Sequence, residues 1–250
     1  MGTGTPLPAE YLSALTGQFG LRSLLPAQKP VLAAVAEGAH VLAVLPTGAG
    51  KSLCFQLPAA VGSELTLCIS PLIALMRDQV MGLRRRGIAW AGAAHSLQTE
   101  AETERVYAAV RDGRCRLLYV APERLRARRF WHALRERGVK RLVIDEAHCL
   151  SAWGHDFRAD YRLLPSLWEA LGRPQILAFT ATASADVRRD LQDAFPGLQP
   201  ILAPVNRPNL RLRVKEIGFY GQRESYLAKM CGNRGAVIVY ATTRRDAEEL

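Results

Sequence analysis

The run T-G-A-G-K-S at 47–52 sits between two apolar stretches, VLAVL (41–45) and LCFQLPAAV (53–61). Residues of these types in this order suit a phosphate-gripping loop. Gly48, Ala49 and Gly50, following Thr47, permit a tight turn in which backbone N–H groups and a helix N-terminus converge on an anion. Lys51 supplies a cation for β- and γ-phosphates, and the Ser52 hydroxyl supplies a ligand for Mg²⁺. The generic pattern G-x-x-x-x-G-K-[ST] places its first glycine where this chain has Leu45. A second constellation, LVIDEAH (142–148), ends an apolar run in two acids. Asp145 is placed to hold Mg²⁺, through water, and Glu146 to polarise an attacking water as general base. The two constellations imply binding and hydrolysis of ATP with Mg²⁺.

Both need a scaffold that brings distant strand ends together. Short apolar runs recur along the chain: 41–45, 65–70, 88–92, 116–121, 141–145 and 175–181. Helix-like segments lie between them, including PLIALMRDQVMGLRRRG and TEAETERVYAAVRDG. Near-continuous apolar strands alternating with helices predict a parallel sheet covered on both faces. Ligands of such sheets bind at the carboxyl ends of strands, and each candidate loop follows a strand. After SADVRRDLQDAF (184–195), the proline-rich PGLQPILAPVNRPNL reads as a connector. A helix (RESYLAKMCGNRG), a strand (AVIVYA, 236–241) and the start of another helix are expected beyond it.

The 250 residues carry 33 Lys and Arg against 23 Asp and Glu, a formal charge of +10, which favours a polyanionic partner such as nucleic acid. Arginines cluster at 84–86, 124–129 and 207–213. No apolar run is long enough to span a bilayer, and the first residues lack a basic region followed by an apolar one. The expected compartment is therefore the cytoplasm, with nucleoid association if the source is bacterial. The five cysteines include no C-x-x-C pair, so neither zinc nor a disulfide framework is expected.

The stretch from Pro46 to Ser52, taken with Asp145-Glu146-Ala147-His148, resembles motifs I and II of superfamily 2 helicases, in which the first glycine of the generic loop is often absent. SPLIALMRDQV (70–80), APERL (121–125), CLSAWGHDFRADY (149–161) and FTATA (179–183) are similar to the RecQ family of DNA helicases, a likeness running from about Phe19 to Leu250. It implies a RecA-like three-layer α/β domain over 1–205, a linker over 206–216 and the start of a second RecA-like domain over 217–250. SAWGHDFR, the most specific piece, is similar to the aromatic-rich loop of RecQ enzymes. Trp153 and Phe157 there offer faces for stacking on unpaired bases and Arg158 a cation, while His155 and Asp156 link the loop to the acids.

The resemblance also implies roles for Ser70, Pro71, Arg77, Gln79 and the APERL turn (121–125) on the tracked DNA strand, for Thr180 and Thr182 in coupling γ-phosphate state to DNA grip, and for His148 as a relay. FGLRSLLPAQ (19–28) resembles the family's adenine-reading motif, with Gln28 as the base-reading amide. The usual aromatic and arginine of that motif are replaced by Leu21 and Leu25, which implies weaker nucleotide affinity. The activity implied is ATP-dependent 3′–5′ translocation on single-stranded DNA, with unwinding at duplex junctions. RecQ enzymes complete the ATP site with an arginine finger from the second domain. Two other readings stay open: a catalytically incomplete DNA-binding module, and an RNA helicase of the same superfamily.

Overall fold

The computed structural model describes residues 6–153, 158–204, 209–218, 220–232 and 235–249. The chain divides into two compact units, Met1–Val205 and Asn206–Leu250. The larger unit is the expected RecA-like α/β architecture. After α1 (Ala9–Gly17) and α2 (Gln28–Ala36), strand and helix alternate: β1 (Val41–Val44), α3 (Leu53–Val61), β2 (Thr66–Ile69), α4 (Ile73–Arg85), β3 (Ala91–Ala94) and α5 (Glu100–Arg111). The alternation continues with β4 (Leu117–Val120), α6 (Arg128–Arg137), β5 (Arg141–Ile144), α7 (Leu164–Ala170), β6 (Gln175–Thr180), α8 (Ala185–Ala194) and β7 (Gln199–Leu202). Every pairing is parallel, in the order β3-β4-β2-β5-β6-β1-β7.

Strand residues alternate between two cores. Ala43, Cys68, Tyr119, Val143 and Phe179 face α1–α4, whereas Leu42, Ile69, Val120, Ile144 and Ala178 face α5–α8. Period-2 side-chain direction thus builds the three layers. On α4, Met76, Val80 and Leu83 recur at helical spacing and are buried, while Arg77, Arg84 and Arg85 stay exposed. α5 begins with a complete capping box, Thr99 with Glu102. Burial pushes the thiol of Cys54 up to about 12 and that of Cys115 to about 11, so both act as small apolar groups.

Three sequence expectations shift. The strand expected over 88–92 forms over Ala91–Ala94 instead. Ile88 and Trp90 are buried, and Trp90 C=O accepts from Arg116 and Leu117, but these residues lead into the ladder rather than forming it. The presumed connector contains β7, which pairs with β1 in the register Leu42↔Pro200. Gln199 N–H donates to His40 and Ala203 N–H to Val44, so the alternate residue Pro200 needs no donor there, as befits an edge strand. In the smaller unit, helices form over Tyr220–Cys231 and Arg244–Glu249, but AVIVYA forms no strand. Ile238 and Tyr240 are exposed there. An apolar run becomes a strand only when a neighbour satisfies its backbone groups.

Candidate active site

β2, β5, β6 and β1 are adjacent in the sheet, so the loops leaving their carboxyl ends form one row. That row contains Ser70, Asp145-Glu146, Thr180–Thr182 and the loop from Leu45 to Ser52.

The loop explains its own missing glycine. Leu45 is fully buried, and its N–H extends the β1–β6 ladder to Thr180 C=O at 3.0 Å. Its backbone lies outside the left-handed region, so a side chain is tolerated and packs into the core. Left-handed geometry falls instead on Gly48 (φ 84°) and Gly50 (φ 70°). Gly48, Gly50, Lys51 and Ser52 contribute no backbone N–H to the loop's own hydrogen bonds, leaving four donors for an anion at the start of α3. Lys51 folds over the loop, its Nζ 3.4 Å from Leu45 C=O.

Gln28, at the start of α2, is buried and locks this loop to the adenine-like motif. Its Oε1 accepts from Leu25 N–H at 2.9 Å, and its Nε2 donates to Gly50 C=O at 2.9 Å. Each amide atom keeps one hydrogen-bonding position in reserve. A cavity of about 540 Å³ adjoins it, lined in part by Leu21, Leu25, Gly50, Ser52 and Gln79. A Cβ on Gly50 would lie 2.3 Å from Gln28 Nε2, at a φ that disfavours L-residues. Gly50→Ala is therefore expected to cost about 1–3 kcal/mol in urea denaturation. Part of that loss should be recovered in a Gln28→Ala background, and an equal loss in both backgrounds would rule out the clash.

Asp145 is positioned by the sheet and by two hydroxyls. Its N–H donates to Ile69 C=O at 2.9 Å, and its C=O accepts from the buried Tyr161 hydroxyl at 2.9 Å. Its Oδ2 accepts from Ser70 Oγ at 3.0 Å. Burial first, then the Glu146 carboxylate, push the Asp145 carboxyl above its ordinary value; the Ser70 hydroxyl and the Lys51 charge act the other way. A carboxyl raised in the folded state costs stability as pH rises from the unfolded carboxylate's range through the folded value, and the cost persists at neutral pH. Asp145→Asn is accordingly expected to raise the metal-free melting temperature at pH 7 by about 2–4 °C, the equivalent of ~1 kcal/mol for a domain of this size. The gain should vanish below the carboxylate range; a gain independent of pH would count against buried charge as its cause. The same excess negative charge, in one row of loops with the Ser52 hydroxyl, supplies the oxygen donors that Mg²⁺ takes.

Glu146 holds a left-handed backbone (φ 46°, ψ 50°), unusual for a residue other than glycine. That turn starts a 3₁₀ segment and brings Glu146 Oε2 to 3.4 Å from His148 Nδ1. The buried His148 Nδ1 lies 3.0 Å from Thr180 Oγ1. Thr180 Oγ1 donates to Thr182 C=O at 2.8 Å and accepts from Thr182 N–H at 3.3 Å. Because the Thr180 proton is committed to Thr182, the His148–Thr180 bond places a proton on Nδ1. A polar chain thus runs from Glu146 to the loop after β6.

Trp153 is 76% exposed, and its N–H donates to Ser151 Oγ at 3.2 Å. Arg158 Nη1 donates to Pro71 C=O at 3.1 Å, and Arg158 N–H donates to Cys149 C=O. The intervening His155, Asp156 and Phe157 lie outside the described residues. Two residues expected on the DNA strand have side-chain partners within the chain. Ser70 is buried and bound to Asp145. Gln79 accepts from Gln56 Nε2 at 2.8 Å and lines the cavity beside Gln28. Arg77 is exposed on α4. Sequence reasoning missed Asp190 on α8, whose Oδ2 accepts from Ser151 Oγ at 2.5 Å and ties the start of the aromatic loop to the helix after β6. Nothing in the amphipathic pattern of α8 marks this acid among its neighbours.

Residues 25–190 match the family model described as DEAD/DEAH box helicase, which spans both acids, the phosphate loop and the Thr180 loop. The chain belongs to the DEAD/DEAH box helicase family. It is 38% identical over 235 residues to the "Probable ATP-dependent DNA helicase RecS" of Bacillus subtilis (strain 168), covering 93% of this chain and 47% of that protein. It is 37% identical over 248 residues to the "ATP-dependent DNA helicase RecQ" of Pasteurella multocida (strain Pm70), covering 98% and 39% respectively. The RecQ resemblance read from the motifs is thereby borne out. This DEAD/DEAH box chain spans less than half the length of those relatives. Among solved structures it is similar to the DUF1998 helicase MrfA, with a TM-score of 0.69, 22% identity, and coverage of 100% of this chain and 40% of that one, a likeness in fold. Among the described residues no helix is long and apolar enough to cross a membrane.

Proposed function

We propose that this chain is the ATP-binding part of a RecQ-type DNA helicase that moves 3′ to 5′ on single-stranded DNA and opens duplex junctions during repair and recombination. The row of loops on four adjacent strands supports the reading most directly, because it sets phosphate donors, a metal-ligand acid and a base side by side. The open N–H groups from Gly48 to Ser52 and the Lys51 ammonium hold the β- and γ-phosphates of ATP. Ser52 and Asp145 are the residues that would hold Mg²⁺, which when bound neutralises charge building on the phosphates. Ser70 keeps the Asp145 carboxylate in one orientation. Glu146 takes the proton of the attacking water, and the His148–Thr180–Thr182 chain carries the occupancy of the γ-phosphate site to the loop after β6.

DNA contact is assigned to the aromatic-rich loop, with Trp153 as its stacking face and Arg77 as a phosphate contact. Ser151 Oγ accepts from Trp153 N–H and is itself held by Asp190, which ties the start of the loop to α8, the helix that follows β6. After a linker over 206–216, residues 217–250 begin a second RecA-like domain, the kind of domain that supplies the arginine finger in RecQ enzymes. The relatives' names, all DNA helicases, support DNA over RNA as the polyanion.

Trp153→Ala tests the coupling. Basal ATP turnover is expected to stay within about twofold of wild type, while stimulation by single-stranded DNA falls about tenfold, in line with ~1–3 kcal/mol per stacked base. Undiminished stimulation would remove Trp153 from the pathway. Strand displacement on substrates with 3′ or 5′ overhangs tests the direction of movement.

A further inference from the structure

The cavity of about 540 Å³ beside Gln28 is lined by three elements: the segment that ends in Gln28, the phosphate loop with the start of α3, and α4. The proposed ATP chemistry uses groups from the first two and none from α4. Yet the α4 wall, with Asp78, Gln79, Gly82 and Arg86, carries one amide whose orientation is fixed.

Gln56 fixes it. This residue lies on α3, one turn along from Ser52, and is buried. Its Nε2 has two hydrogens to give. One goes to Gln79 Oε1 at 2.8 Å and the other to the hydroxyl of Tyr119 on β4 at 2.9 Å. Tyr119 is itself buried, its ring packed against Phe55. With its oxygen taken by Gln56, Gln79 has its amide nitrogen, a donor only, left for a ligand. That nitrogen has no acceptor among the described residues. Gln79 is half-buried, and its nitrogen is not sealed from solvent.

The rest of the lining indicates what the ligand offers there. Leu21 and Leu25 are 37% and 47% exposed and present apolar faces. Asp78 and Arg86 carry opposite charges. Such a wall suits a neutral, partly apolar ring with a few polar edge atoms, as in a nucleobase, better than it suits a phosphate. Gln28 keeps one donor and one acceptor position, which match an amino group beside a ring nitrogen. Gln79 adds a donor alone, which matches an unprotonated ring nitrogen on another edge. Adenine carries both kinds of edge.

We propose that Gln79 reads the nucleobase of bound ATP, donating its amide N–H to a ring nitrogen from the α4 side of the cavity, with Gln56 as the positioning residue that orients the amide. The role rests on the ATP reading of the site and takes the place of the DNA contact that the resemblance implies for Gln79.

The test is calorimetric titration of ATP and of tripolyphosphate, each with Mg²⁺, into the full chain. The two ligands share their phosphates and differ in the nucleoside, so the ratio of their affinities isolates the base contact. Gln79→Glu keeps an oxygen for Gln56 but has no donor. It should lower the ratio of ATP to tripolyphosphate affinity about fivefold, the worth of one hydrogen bond. Repulsion of phosphate by the added carboxylate acts on both ligands and cancels in the ratio. Gln56→Met, which lets the amide of Gln79 rotate, should lower the ratio about threefold. Affinity for single-stranded DNA should be unchanged by either. A ratio unmoved by both substitutions overturns the role and leaves the ATP reading standing. Parallel loss of both ligands would then make the amide pair a support of the phosphate loop, and loss of DNA affinity would put Gln79 on the tracked strand. A folded wild-type chain that binds neither ligand would remove the ATP reading, and this role with it.

Discussion

Glu146→Gln is expected to lower ATP turnover by about 10²–10⁴-fold while leaving ATP binding intact. Glutamine matches the carboxylate in shape but cannot accept a proton from water. The left-handed turn at Glu146 fixes where that group points, and glutamine can occupy the same turn, so the substitution isolates the chemistry from the fold. The readout is single-turnover hydrolysis alongside equilibrium ATP binding. Parallel loss of both would mean that Glu146 holds the nucleotide or the loop rather than the attacking water.

Lys51→Ala should act at the earlier step. Its ammonium sits over the phosphate loop, held among the described residues by a long 3.4 Å contact to Leu45 C=O, which leaves it able to move onto a bound phosphate. Removing a preorganised cation from the transferring phosphoryl group is expected to cost about 10²–10³-fold in turnover and to weaken ATP affinity. Affinity for single-stranded DNA should stay within about twofold, because the aromatic loop and Arg77 are unaltered. Equal loss of ATP turnover and DNA binding, with a changed circular dichroism spectrum, would instead show that Lys51 supports the fold. There is a mild expected side effect: Lys51 opposes the burial that raises the Asp145 carboxyl, so its loss leaves that acid less compensated.

The sequence made some of these parts readable and hid others, for physical reasons. The phosphate loop and the acids of β5 are legible because their ligand dictates residue type: glycine where φ is positive, lysine where phosphate sits, acids where an apolar strand ends. Even the absent glycine at Leu45 follows once that residue is seen as ladder rather than loop. Side-chain direction one step away is less legible. No local pattern shows that a strand end aims Ser70 at Asp145 or that the helical turn of α4 sets Gln79 against Gln56. β7 was obscured by Pro200, which an edge strand tolerates. AVIVYA has the composition of a strand, but composition supplies no neighbour to pair with. The Ser151–Asp190 tie likewise depends on a contact between elements that no local pattern encodes.

The account rests on the loops of β1, β2, β5 and β6 forming a single ATP site. The most direct measurement is ATP binding by this chain, with Mg²⁺ and with EDTA, in the wild-type and Asp145→Asn proteins. Binding strengthened by Mg²⁺ in the wild type, and indifferent to it in Asp145→Asn, is the result expected. ATP affinity unaltered by EDTA in the wild type, or no binding by a folded chain, would contradict it.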